Sequence, residues 1–194
     1  MRRTTIPLLL LALALTAGCS SDGDDPGTAS PGSPAAPTST SSSQASSPTD
    51  SPSDVATGIE LSMPNSSVRA PADWTQAKDL TRYEDGADSP DSLAYIMLGE
   101  IDAFGSDASA EQLGENRIKA NTYPKAPKVL PVSELDGTEA YHVAGFVSPT
   151  QYIEEFGTIV RDRIVTLTFS FNNKVSRSER DQVVSSVLPT FAWK

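Results

Sequence analysis

Residues 58–194 predict an α+β domain, an antiparallel sheet flanked by helices, and three observations carry that expectation. Apolar and polar residues alternate most clearly near the end of the chain, where Val165, Leu167, Phe169 and Phe171 face one way and Thr166, Thr168 and Ser170 the other. Two capping boxes, Ser109-Ala110-Glu111-Gln112 and Ser176-Arg177-Ser178-Glu179, each open a stretch with apolar residues at helical spacing. Four strand-like stretches follow the first of these boxes, with Asp136-Gly137 reading as a hairpin turn between two of them.

In chain order, Ile59, Leu61 and Met63 alternate with polar residues as a first strand stopped by Pro64, and Pro71-Ala72-Asp73-Trp74 leads into a second short one. The acidic stretch Glu84, Asp85, Asp88 and Asp91 around Gly86 and Pro90 reads as a solvated turn. Residues 93–101 form a nearly unbroken apolar run, the pattern of a strand covered on both faces. A helix is expected from about 109 to 122, with Leu113, Arg117 and Ile118 on its spacing, before Pro124 and Pro127 break the chain. Strands follow at 129–135, 139–148, 152–161 and 164–171, the last pair joined tightly through Arg161-Asp162-Arg163. Val183, Val184, Val187 and Leu188 stripe the second helix until Pro189, and Phe191 and Trp193 are expected to fold back onto the sheet.

The first 57 residues have a different character. Arg2 and Arg3 precede a short apolar run from Ile6 to Leu15, and small residues Ala17 and Gly18 come before Cys19, the order of an export signal. That run is shorter than the ~20 residues that cross a bilayer. Residues 20–57 are almost wholly Ser, Thr, Pro, Gly, Ala and Asp, a composition that cannot bury enough surface to offset its ordering entropy, so a disordered spacer is expected. As a coil it would span ~35 Å on average.

Thr16-Ala17-Gly18-Cys19 resembles the bacterial lipobox, departing from it at Thr16 where Leu is commonest. The resemblance implies a diacylglycerol on the Cys19 thiol and cleavage between Gly18 and Cys19, dividing the chain into a signal peptide (1–18), a lipidated tether (19–57) and a globular domain (58–194). It implies a protein held on the extracytoplasmic face of the cytoplasmic membrane. Cys19 is the only cysteine, so its acylation would leave no disulfide and no thiolate chemistry.

Within the domain, Pro71 to Trp74, Asp136-Gly137 followed by Ala140, Phe169-Ser170 and the closing Leu188, Thr190, Phe191 and Trp193 resemble the Mog1/PsbP-like fold, and within it the actinobacterial LpqN/LpqT-like lipoproteins. That resemblance implies an antiparallel sheet between helices and an interaction or accessory role, and it brings no catalytic motif with it.

Charge and residue chemistry narrow the function classes. The chain has 15 basic and 25 acidic residues. Residues 1–57 hold two of the basic ones (Arg2, Arg3) and five of the acidic ones (Asp22, Asp24, Asp25, Asp50, Asp54), leaving 13 against 20 in the domain. Such a domain repels phosphate backbones and anionic headgroups, so no nucleic-acid partner is expected. His142 is the only histidine; a role as base or metal ligand would need Glu139, Glu154 or Glu155, and the plainer reading is a strand histidine on a partly exposed face. Glu154 and Glu155 are adjacent in a strand and point to opposite faces, so they cannot flank one bond as an acid and base pair. Asn65-Ser66-Ser67 fits a glycosylation sequon formally and reads as a turn.

No cofactor, metal or enzymatic activity is expected. The expected function is a non-catalytic interaction module with an envelope protein or wall component as partner. The alternative is a carrier or sensor of a lipid or other apolar molecule, which needs a cavity between sheet and helix lined by residues such as Tyr95, Met97, Tyr141 and Phe146.

Overall fold

The computed structural model describes residues 55–194. The expected signal peptide 1–18, Cys19 with the expected cleavage after Gly18, and the expected tether up to residue 54 lie outside the described residues. Ordered packing reaches slightly further back than residue 58: Ala56 is buried and its N–H donates to the Ser186 carbonyl at 2.9 Å.

The described chain runs β1 (Glu60–Ser62), β2 (Ser66–Arg69), β3 (Thr75–Gln76), β4 (Glu84–Asp88), β5 (Ala94–Asp102), α1 (Ala110–Ala120), β6 (Lys128–Leu135), β7 (Thr138–Phe146), β8 (Gln151–Val160), β9 (Arg163–Asn172), α2 (Arg177–Val187) and β10 (Ala192–Trp193). Seven strands form one antiparallel sheet in the order β3-β4-β5-β9-β8-β7-β6, and β1-β2-β10 form a second, small one. The class is α+β, with an antiparallel sheet flanked by helices.

Both helices start where their caps direct. Ser109 Oγ accepts from the Gln112 amide while Gln112 Oε1 accepts from the Ser109 amide, and Ser176 and Glu179 repeat the exchange at α2. Each box satisfies two amides that a helix start would otherwise leave unpaired. The hairpins are as local: Asp136 and Gly137 both take positive φ between β6 and β7, as do Arg161 and Asp162 between β8 and β9, the turn geometry whose twist matches paired strands.

The two faces of the large sheet have different coverings. Ile96, Leu98, Phe156, Val165, Leu167, Phe169 and Phe171 gather with Val184 and Val187 of α2 and with Leu61, Val68 and Phe191 from the small-sheet side as the main core. The alternate residues Tyr141 and Val143 meet Leu113 of α1 in a smaller cluster. Phe191 and Trp193 do fold back, Phe191 into the main core and Trp193 as part of the second sheet: β10 pairs with β2, and the Trp193 indole donates to the Leu135 carbonyl at 3.1 Å.

Two stretches correct the sequence reading. The acidic residues Glu84, Asp85 and Asp88 belong to strand β4, not to a solvated turn, because pairing with β5 on one side and β3 on the other supplies the hydrogen bonds their poor strand propensity does not encourage. Only Asp91 lies in the turn that follows, where it accepts from Ser89 Oγ at 2.6 Å and the Leu93 amide at 3.0 Å. The segment after Pro64 is strand β2, whose first residue, Ser66, is fully buried.

Candidate functional site

The face under α1 holds the densest polar chemistry of the domain. Glu155, in β8, is 1% exposed, and its carboxylate accepts four hydrogen bonds. Arg117 grips it with both arms, Nε to Oε1 at 2.5 Å and Nη2 to Oε2 at 2.8 Å; Tyr141 Oη donates to Oε1 at 2.6 Å and Thr168 Oγ1 to Oε2 at 3.0 Å. Register explains the convergence, since Glu155 lies opposite Thr168 on β9 while Tyr141 lies opposite Gly157, one step along the same face.

Glycine makes the arrangement possible at two points. A Cβ on Gly157 would stand 2.6 Å from the Tyr141 ring, and one on Gly114 of α1 would stand 3.1 Å from Tyr141 Cβ. The tyrosine therefore lies flat between helix and sheet, which brings its hydroxyl to the carboxylate.

The electrostatics follow from this burial. The hydrogen bond to Glu155, reinforced by its charge, holds the Arg117 guanidinium above its already high range. Desolvation, then the adjacent Glu155 charge, pushes the Tyr141 phenol well above its ordinary value. Keeping this phenol neutral contributes stability that is complete below pH ~10, the usual tyrosine value, and is lost as pH rises beyond it, because the unfolded chain ionises where the folded one resists. Tyr141→Phe should lower stability by about 1.5–3 kcal/mol through the lost charged hydrogen bond. It should also flatten the decline on the alkaline side. Urea titrations on either side of pH ~10 measure both, and an alkaline slope equal to the wild type's would refute the assignment.

Beside this network α1 leaves part of the sheet open. One hollow of about 420 Å³ is lined by Tyr83, Met97, Ile101, Leu113 and Ile164, and a second of about 460 Å³ by Tyr95, Tyr123, Pro124 and Ile153. They share Met97, Arg117 and Thr168, so they form one groove along the helix with the Arg117–Glu155 pair in its wall. Of the four residues expected to line a cavity, Tyr95, Met97 and Tyr141 do. Phe146 does not line this groove: it sits on the opposite face, edge-on to Tyr152 and beneath the Arg180 guanidinium, and borders a different hollow of about 440 Å³ with Pro124, Lys125 and Pro149.

Glu154 and Glu155 face opposite sides of the sheet, as adjacent strand residues must. Glu154 Oε1 lies 2.9 Å from His142 Nε2, and the His142 ring stacks on Phe156 at 4.3 Å on the α2 side. Glu139 joins neither pair. Among the described residues, no three His, Cys, Asp or Glu side chains are grouped to hold a metal ion. Asn65, the formal sequon residue, occupies the turn between β1 and β2, with its amide and side chain donating to Glu100.

Sequence reasoning missed the Arg117–Glu155 pair, although a signal existed. Arg117 follows Leu113 by one helical turn on the buried stripe, and Glu155 alternates with Ile153 and Gly157 on a covered strand face. Two opposite charges on two faces that must meet are a pairing prediction.

No family model matches the chain, and no curated protein matches it. Among solved structures, the chain is similar to a protein from Bacteroides thetaiotaomicron VPI-5482, at 14% identity and a TM-score of 0.42, over 66% of this chain and 45% of that one. It is also similar to the cyanobacterial PsbP (CyanoP) from Synechocystis sp. PCC 6803, at 12% identity and a TM-score of 0.49, over 70% of this chain and 92% of that one. The chain thus spans less than half the length of the Bacteroides protein.

Proposed function

We propose that this chain is an envelope lipoprotein, anchored through an acylated Cys19 to the cytoplasmic membrane, whose extracytoplasmic domain is a non-catalytic interaction or accessory module. The observation that carries the reading is the groove along α1. Its walls are largely apolar, and the charged pair beside it is closed on itself: both Glu155 oxygens are taken by Arg117, Tyr141 and Thr168, a state suited to holding shape and unsuited to proton transfer. The likeness of Pro71 to Trp74 and of the closing Phe191 and Trp193 to Mog1/PsbP-like domains, and to LpqN/LpqT-like lipoproteins among them, supports the same role.

The groove also favours a second reading, a carrier or sensor of a lipid or other apolar molecule. Hollows of about 420 and 460 Å³ fall within the ~300–1,000 Å³ of small-molecule sites, and apolar walls with few polar groups are the usual lining.

Native mass spectrometry of the full chain recovered from its own host separates the two. A bound apolar molecule that disappears in Met97→Trp supports the carrier reading; an unliganded mass with protein neighbours captured by crosslinking supports the interaction module. For the anchor, Cys19→Ala should release the protein from membranes or leave it unprocessed. Unchanged membrane fractionation would overturn that part of the proposal.

A further inference from the structure

Phe104 is 89% exposed, the most exposed large apolar side chain of the described residues, and its backbone has φ +52°. A bulky residue other than glycine avoids that left-handed region, so the conformation is strained and persists only where its surroundings impose it. Asp162 imposes it here. Its carbonyl accepts from the Ala103 amide at 2.9 Å, its Oδ1 accepts from the Gly105 amide at 2.8 Å, and the Ser106 amide closes the turn onto the Ala103 carbonyl at 3.0 Å. The loop between β5 and α1 is therefore built to hold a phenyl ring out in water.

Three residues earlier in the chain, Ile101 is 50% exposed and lines the 420 Å³ hollow together with Tyr83 and Ile164. An apolar knob and an apolar hollow thus adjoin on one molecule. Their rims differ in charge. Exposed Asp102, Asp107 and Asp162 flank the knob, although Asp102 is engaged by Arg163. At the hollow, Arg82 stacks on Tyr83 at 4.6 Å, and Arg117 commits only Nε and Nη2 to Glu155; Glu84 at the same wall is held by Thr81 Oγ1 at 2.9 Å.

We propose that knob and hollow are the two halves of one isologous interface, in which two copies of this chain seat Phe104 in each other's groove. A two-fold axis beside Ile101 brings both contacts together, because an isologous interface needs a surface that is complementary to itself. The same pairing sets the acidic rim of each knob against Arg82 and Arg117 of the other copy. Burying two phenyl rings and two Ile101 side chains supplies the driving force, while a net charge of −10 per chain opposes association at long range. The contact is accordingly weak in dilute solution and gains from any tether that raises local concentration.

The test keeps the full chain in the cells that make it. A photoreactive phenylalanine analogue, p-benzoylphenylalanine, at position 104 of one copy, with a differently tagged second copy alongside, should give a product of doubled mass carrying both tags, joined at Met97, Leu113 or Ile164. Ile164→Trp in the receiving copy should lower its yield at least tenfold, and Ile101→Glu, at an exposed position the fold tolerates, should do the same. A product joined outside the groove, a yield that neither substitution changes, or the absence of any doubled-mass product would overturn the proposal. Phe104→Ala, which removes a side chain that contributes nothing to the core, should leave the urea midpoint unchanged while zero-length crosslinking between variant copies falls at least tenfold below that between wild-type copies.

Discussion

Arg117→Met should cost about 3–5 kcal/mol of unfolding free energy, among the largest losses open to a single substitution on the α1 face. Among the described residues the guanidinium is the only cation on Glu155, and Glu155 is fully buried in β8, so removing Arg117 leaves a charge that two hydroxyls cannot compensate. The reverse substitution, Glu155→Met, should cost less. Arg117 is about a third exposed, and its long stem can carry the freed charge to water, which a carboxylate under the helix cannot do. The double variant should recover much of the loss, because a well-packed apolar pair replaces a buried ionic one at little net cost. Urea unfolding of the four proteins, compared at constant slope, gives the coupling directly. If Arg117→Met falls within about 0.5 kcal/mol of the wild type, the pair does not hold α1 to the sheet.

How far these features could be read beforehand depended on how local their causes are. Both capping boxes are contained in four residues, and both are made as expected. The alternation of β9 was legible because every second residue, from Val165 to Phe171, enters the main core, and the strand is central, so both of its neighbours enforce one register. Strand β4 was illegible for the opposite reason. Glu84-Asp85-Gly86-Ala87-Asp88 has little preference for extended structure by itself, and its place is fixed by partners: Gly86 leaves room for the side chain of Tyr95, diagonal to it on β5, where a Cβ would meet the hydroxyl at 2.8 Å. The groove lay between these cases. Tyr95, Met97 and Tyr141 do line its walls, whereas Phe146, five positions after Tyr141 in β7, falls on the other face by strand alternation itself, with its pairing to Tyr152 in regular register. Arg117 and Glu155 are 38 positions apart and joined by tertiary packing alone, as are Glu100 and Asn65 at 35.

That last contact sets the second large expectation, since it fastens the small sheet to the large one. Glu100 is 1% exposed, on the core-facing side of β5, opposite Val165. Its Oε2 accepts from the Asn65 amide at 3.1 Å, its Oε1 accepts from Asn65 Nδ2, and Arg163 Nε lies 3.4 Å from Oε1. A carboxylate meets three donors with acceptors only; a carboxamide of the same shape must turn an N–H₂ toward one of them. Glu100→Gln should therefore cost about 3 kcal/mol, combining the lost ion pair with a buried donor left facing another. The loss should also be regional. Asn65 joins β1 to β2, β10 pairs with β2, and the Lys194 amide donates to the Asn65 carbonyl, so loosening this turn frees the whole small sheet while β5, β8 and β9 keep their own ladder. Amide hydrogen exchange should show β1, β2 and β10 opening at lower free energy than in the wild type, with the central strands changed only by the global loss. Equal acceleration across both sheets, or none, would mean that the hairpin is held by its apolar residues Leu61 and Val68 and by the Ser62 amide on Asp85, and that the buried carboxylate is incidental to how the two sheets are joined.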